Sequence, residues 1–201
     1  MAKKDRYGIG VYGGSFDPIH FAHLQLACTL YEEFSLRKVY FIPAKQSPHK
    51  KNKCRVSDSH RLEILKIALK NYPNFKVLDI ELVRQAPSYT IDTLKILKES
   101  EKEPLYLMMG MDNFQSLGQW KDINEILECA TPIIAARQSN KPHPIDPTFK
   151  EIYQKGFRQT PLMDISSTML RKRIKQGLPS YHLCPEKVLD YIFEHQLYSS
   201  A

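Results

Sequence analysis

His20 and His23 stand three positions apart, a few residues beyond two adjacent glycines, in Gly13-Gly14-Ser15-Phe16-Asp17-Pro18-Ile19-His20-Phe21-Ala22-His23. Tyr7 to Tyr12, just before this segment, reads as a short strand, and Leu24 to Phe34, just after it, as an amphipathic helix. A strand that turns through glycines into a helix presents backbone N–H groups at the positive end of the helix dipole, which suits a phosphate group. Histidines at i and i+3 share a helix face, and either imidazole can donate a hydrogen bond to a phosphate oxygen. A lone histidine near an apolar face is usually structural; the pairing after a glycine turn is what favours a site. No residue type nearby forms an activated nucleophile, so positioning of phosphate is favoured over covalent chemistry.

A second segment, Ile165-Ser166-Ser167-Thr168-Met169-Leu170-Arg171, runs from a short apolar stretch through hydroxyls into a helical pattern. Ser and Thr at a helix start are most often plain N-caps. With Arg171 one turn inside, the same residues also make a phosphate cradle of backbone donors, hydroxyls and guanidinium. Taken alone, the two readings weigh equally; beside the first segment, the cradle is favoured. Gly8-Ile9-Gly10-Val11-Tyr12-Gly13 matches GxGxxG, but its glycines interleave with strand-type residues instead of following a strand, so it is set aside.

The elements that must position these residues alternate between strand and helix. Strands are expected at Val39–Pro43, Phe75–Ile80, Leu105–Met109, Pro132–Ala136 and Leu162–Ile165, in addition to Tyr7–Tyr12. Helices are expected at Ser57–Leu69, with Leu62, Leu65 and Leu69 on the apolar face, and at Thr90–Leu97, Ile123–Leu127, Ser167–Lys175 and Pro185–His195. This order predicts an α/β fold: a doubly wound parallel sheet with helices on both faces, in a single domain spanning residues 1–201. In such sheets ligands bind beyond the carboxyl ends of the strands. The segments 13–23, 43–50, 110–120 and 166–171 each follow an expected strand and should gather on that rim. Asp17 is expected to cap the helix after it.

The bulk properties narrow the classes. The formal charge of +7 favours anionic partners, nucleotides or nucleic acid. The basic residues form only two local clusters, 45–53 and 171–173, and no recognition-helix or RNP-like pattern supports nucleic acid. No apolar run is long enough to span a membrane, and no apolar stretch of a secretory signal follows the basic N-terminus. Cys28, Cys54, Cys129 and Cys184 are scattered without a CxxC pair, which fits a reducing cytoplasm better than a disulfide or zinc framework.

The two segments together resemble the HxGH-type nucleotidyltransferase superfamily. Ser47-Pro48-His49-Lys50, Ser88-Tyr89-Thr90-Ile91-Asp92-Thr93-Leu94 and Gly110-Met111-Asp112-Asn113-Phe114-Gln115-Ser116-Leu117-Gly118-Gln119-Trp120 narrow the resemblance to the bacterial nicotinate mononucleotide adenylyltransferases, over nearly the whole chain and in the right order. The resemblance implies a Rossmann-like fold and transfer of AMP from ATP to nicotinate mononucleotide, with release of pyrophosphate, in NAD biosynthesis. It implies catalytic roles for His20, His23 and Arg171, and ATP contacts from Gly13, Gly14, Ser15, Phe16, Gly110, Asp112, Ser167 and Thr168. It places Lys45, His49, Lys50, Tyr89, Thr90 and Trp120 on the mononucleotide, with Trp120 stacked on the pyridine and the Tyr89-Thr90 amides facing its carboxylate. Mg2+ would be bound mainly through substrate phosphates, with no metal site built from the protein. Nicotinamide mononucleotide and phosphopantetheine are the alternative acceptors, and a non-catalytic nucleotide- or RNA-binding protein is the alternative class. A homo-oligomer is compatible with all of these. Two positions depart from the pattern: Ala22 replaces the usual glycine between the histidines, and the stretch around Ala44 lacks a common asparagine.

Overall fold

A computed structural model describes residues 7–46, 54–137, 145–161 and 163–199. Among the described residues six strands form one sheet: β1 (Ile9–Gly14), β2 (Lys38–Pro43), β3 (Phe75–Val77), β4 (Leu105–Gly110), β5 (Ala130–Arg137) and β6 (Phe157–Thr160). Their order is β3-β2-β1-β4-β5-β6, and every pairing is parallel. The order reverses between β1 and β4, so the crevice for a ligand opens beyond the carboxyl ends of those two strands. Gly14 pairs with Pro43, and Gly110 with Ala135, which brings the ends of the central strands to one edge.

The strand side chains alternate between two cores, as a period of two requires. Tyr12, Val39, Phe41, Met108 and Ile133 face the layer of α1 (Phe21–Glu33), α2 (Asp58–Leu69), α7 (Ser167–Lys175) and α8 (Glu186–Glu194). Val11, Ile42, Leu107, Met109 and Ile134 face α3 (Thr90–Ser100), α4 (Met111–Gln115), α5 (Ile123–Cys129) and α6 (Lys150–Gly156). Gly10 faces the first of these cores, where a Cβ would run into Met108 Sδ and come within 3.0 Å of Leu36 Cδ1, so no larger residue fits there. Both faces are thus covered, as the alternation of elements predicts.

Several boundaries differ from the sequence reading. β1 runs to Gly14, so the glycine pair ends the strand instead of turning after it. α1 starts at Phe21, which makes His20 its N-cap and leaves only His23 inside the helix. β3 is three residues long, because the chain turns at Asp79, whose carbonyl accepts from the Leu82 N–H at 2.8 Å. The last strand lies at Phe157–Thr160, and Met163–Ile165 makes no ladder. The apolar Met163 and Ile165 suggested a strand, whereas the edge strand that does pair carries Arg158 and Gln159, a polar content common at sheet edges. On α2 the buried face is Arg61, Ile64, Leu65, Ala68 and Leu69, with Leu62 turned toward its margin.

Candidate active site

The β1–α1 loop is held from both sides. Gly13 is exposed, and a Cβ built on it would meet nothing within 4 Å, so the floor of the crevice is open there. Phe16 adopts a left-handed backbone with φ of +44°, unfavourable for a residue with a side chain. Its buried ring holds that conformation by packing edge-on against Tyr12 and His23, with centroids 5.4 and 5.3 Å away. From below, Arg61, wholly buried, donates from Nη1 to the Ser15 carbonyl at 2.8 Å and from Nη2 to Asp58 Oδ1 at 2.6 Å.

The two histidine rings stack with centroids 3.7 Å apart. The His20 N–H donates to His23 Nδ1 at 3.2 Å, so the neutral His23 ring carries its proton on Nε2 and is a donor there. His20 is only 5% exposed, and burial pushes its pKa down to about 4. Its environment is closed by the 183–184 segment: the Phe21 N–H donates to the Leu183 carbonyl at 3.0 Å, and Cys184 Sγ lies 3.3 Å from the Ile19 carbonyl. His20 is therefore a neutral imidazole at pH 7.

The start of α7 is stitched to this loop. The Ser166 side chain caps the helix by accepting from the Met169 N–H at 3.2 Å. Ser167 Oγ donates to the Pro18 carbonyl at 2.9 Å, and Arg171 Nη1 donates to the Asp17 carbonyl at 2.6 Å. Arg171 Nη2 also donates to Thr168 Oγ1 at 3.2 Å, which fixes the plane of the guanidinium. Among the described residues no strand leads directly into α7; these bonds bring it to the rim. Asp17 does not cap α1, because His20 occupies that position. Instead its carboxylate accepts from the Arg55 N–H at 2.8 Å and the Tyr198 hydroxyl at 2.7 Å, and Arg171 Nη1 lies 3.9 Å away. Asp17 thereby joins the first loop, the 54–56 segment, α7 and the C-terminal segment.

The other half of the crevice joins the end of β2 to the start of α3. The Ala44 N–H donates to the Gly14 carbonyl at 2.9 Å. The Lys45 N–H donates to Ser88 Oγ at 3.1 Å, its Nζ donates to the Arg84 carbonyl at 3.0 Å, and the Ser88 N–H donates to the Gln46 carbonyl at 3.0 Å. Lys45 thus fastens two loops together in this structure. Tyr89 is the N-cap of α3 and Thr90 its first residue. The Lys121 ammonium sits 4.5 Å from the Tyr89 ring centroid, so Tyr89 and the Trp120-Lys121 segment meet. Trp120 follows a 3-10 turn at Leu117–Gln119 and packs, half-buried, against the α3–α6 core. Gly110 is the N-cap of α4, at the end of β4, and Asp112 is exposed in its first turn. His49 and Lys50 lie outside the described residues.

The structure therefore gathers His20, His23, Ser167, Thr168 and Arg171 around one loop, and Lys45, Tyr89 and Trp120 around another. It also adds contacts and residues that the sequence signals weakly or not at all. Asp17 and Tyr198 meet across the length of the chain, and no local pattern signals that pair. Arg61 had a signal, Asp58 at i−3, but stood inside an apparently apolar helix face. Buried Glu81 carried none.

The fold order and the paired helix starts on one rim are those of a nucleotidyltransferase of the cytidylyltransferase-like class, and that family's model matches residues 11–173. The chain belongs, within it, to the family of nicotinate-nucleotide adenylyltransferases. The Bacillus subtilis nicotinate-nucleotide adenylyltransferase is 34% identical over 196 residues, covering 96% of this chain and 98% of its own. A Carboxydothermus hydrogenoformans protein that bears the name of a probable nicotinate-nucleotide adenylyltransferase is 38% identical over 197 residues, covering 94% and 97%. The solved Plasmodium falciparum nicotinic acid mononucleotide adenylyltransferase complexed with NaAD has the same fold, with a TM-score of 0.75 over 96% of this chain and 98% of that one, at 22% identity.

Proposed function

We infer that this chain, in the cytoplasm, transfers AMP from ATP to nicotinate mononucleotide, forming deamido-NAD and pyrophosphate. The observation that carries the reading is the seam between the β1–α1 loop and α7, in which Ser167 and Arg171 bond directly to the backbone of Pro18 and Asp17. Two helix starts, two neutral-capable imidazoles and a guanidinium converge there, a donor set suited to a triphosphate.

In this reaction an oxygen of the mononucleotide phosphate bonds to the α-phosphorus of ATP, the bond from that phosphorus to the bridging oxygen breaks, and pyrophosphate leaves with the electron pair. The nucleophile is already an anion, so no catalytic base is needed, and the protein's work is alignment and charge neutralisation. His23 donates from Nε2 to the phosphate being transferred, a role that its bond from the His20 N–H prepares. Arg171 through its remaining N–H groups, the Thr168 hydroxyl and the backbone N–H of Ser167 at the helix start hold the leaving phosphates. Gly13 leaves room for the nucleotide and Gly14 for the ring of Phe16, Ser15 and Phe16 shape the loop around the nucleotide, and Gly110 and Asp112 face its nucleoside. Tyr89, Thr90 and Trp120 receive the pyridine, supported by Lys45, with His49 and Lys50 on its phosphate. Among the described residues no three His, Cys, Asp or Glu side chains converge on a point that could hold a metal. Mg2+ would be held mainly by the phosphates of ATP, whose charge it would neutralise. A small anionic substrate also accounts for the basic charge without nucleic acid.

The test is pyrophosphate release from ATP and Mg2+ with the acid and amide mononucleotides in parallel. A higher kcat/KM for the acid supports the assignment, and equal values refute the acid preference. His23→Ala should lower kcat about a hundredfold while the KM for ATP changes little, the pattern of an interaction made mainly in the transition state. A normal kcat in that variant removes His23 from the mechanism.

A further inference from the structure

Beneath the start of α3 lies a carboxylate that the reaction above does not use. Glu81 is 6% exposed and accepts a hydrogen bond from Thr93 Oγ1 at 2.7 Å, and the nearby Ser88 hydroxyl also favours its charged form. Thr93 and Ser88 are themselves buried. Thr93 Oγ1 in turn accepts from Arg84 Nη2 at 2.9 Å, and Arg84 supplies the opposing charge, while Asp92 adds a like one. Burial pushes the Glu81 carboxyl above its usual range, against the two hydroxyls and Arg84, which pull it back. Thr93 lies one turn into the helix, so the carboxylate grips α3 at its first turn, while Ser88, just before the N-cap Tyr89, is held by its bonds with Lys45 and Gln46. The side chain of Tyr89 makes no cap of its own, so the direction of the first-turn amides depends on this grip.

We propose that Glu81 is a positioning residue for the acceptor: through Thr93 it fixes the first turn of α3 so that the amides near Tyr89 and Thr90 select a mononucleotide bearing a carboxylate. This rests on the acceptor assignment made above. A buried carboxylate is costly unless its oxygens are satisfied, and an apolar residue would fill the space at no such cost. What an apolar residue cannot do is accept from the Thr93 hydroxyl and so hold the first turn of α3 in place. The geometry of a donor pair matters more to selection than to binding in general, because a misdirected N–H still meets water but no longer meets a fixed anion.

The experiment compares Glu81→Ala, Glu81→Gln, Thr93→Val and Thr93→Ser. Glutamine keeps an oxygen that can accept from the Thr93 hydroxyl, and serine keeps the bond to Glu81. Glu81→Ala and Thr93→Val should raise the KM for nicotinate mononucleotide about tenfold and bring the acid-to-amide ratio of kcat/KM toward one, with the KM for ATP within about twofold of the parent. Glu81→Gln and Thr93→Ser should recover most of the lost affinity and selectivity. Hydrogen exchange of the amides from Thr90 to Leu94 should quicken in the first pair and stay slow in the second. A folded Glu81→Ala protein with the parent's mononucleotide KM and acid preference overturns the proposal, and so does a uniform decline of kcat and both KM values. If the parent protein turns over neither mononucleotide, the acceptor assignment fails; unchanged exchange in Glu81→Ala then refutes the positioning role separately.

Discussion

His20 makes stability depend on pH in a way that can be worked out in advance. In the folded protein its imidazole takes up a proton only near pH 4, because burial disfavours the charged ring; unfolded, it does so near its ordinary value of 6.5. Between those values the unfolded chain binds more protons, so this group's contribution is fully present above about pH 6.5 and is lost as pH falls toward about 4. The whole gap is worth about 3 kcal/mol, of which about 2 kcal/mol disappears between pH 7 and pH 5. The neighbouring His23 ring, stacked 3.7 Å away, leaves no space for water to solvate a charge on that side. The comparison is with His20→Asn. Asparagine is a strong N-cap, so the variant's absolute stability at pH 7 is not informative, but it has no titrating group. Urea unfolding at pH 7 and pH 5 should show the parent losing about 2 kcal/mol more than the variant across that interval. Carboxylates elsewhere titrate in both proteins and cancel. Equal losses in the two proteins, or an NMR titration of His20 with its midpoint near 6.5, refute the assignment of a buried neutral imidazole.

Other substitutions separate packing from function. Gly13→Ala should leave thermal stability nearly unchanged, since its Cβ meets nothing within 4 Å, yet weaken ATP binding measurably by calorimetry. Wild-type affinity in that variant would show that the nucleotide does not pass over Gly13. Arg61→Met should cost about 3 kcal/mol in urea unfolding, the low end for breaking a buried pair, because the Asp58 side chain is 40% exposed and can turn to water. Tyr198→Phe removes the hydroxyl that donates to the Asp17 carboxylate and should cost about 2 kcal/mol, as for a hydrogen bond to a charged group. It should also raise the KM for ATP, because Asp17 orients Arg171; a variant with altered stability and an unchanged KM would confine that contact to folding.

Much of the candidate site was legible one segment at a time. The glycines, His20, His23 and the hydroxyl run before Arg171 announce phosphate chemistry through residue type and spacing, which are local. The alternation of strands and helices is local too, and it is enough to predict the parallel sheet and the rim on which ligands bind. Where the reading slipped, a short-range signal competed with tertiary pairing. Leu162 to Ile165 looked more like a strand than Phe157 to Thr160, but the latter found the open edge of β5. Asp17 had the chemistry of a cap, but the chain placed His20 at the helix start and turned Asp17 toward partners far away in sequence.

The sequence by itself determined which groups could bind phosphate and the order in which strands and helices would appear, because both follow from side-chain chemistry and hydrophobic period. Only the tertiary structure decided that Arg171 bonds to the backbone beside Pro18, that Tyr198 closes on Asp17, and that Glu81 grips α3 from beneath. Those contacts depend on how the sheet brings distant segments together, and burial rather than residue type sets the charge state of His20 and Glu81.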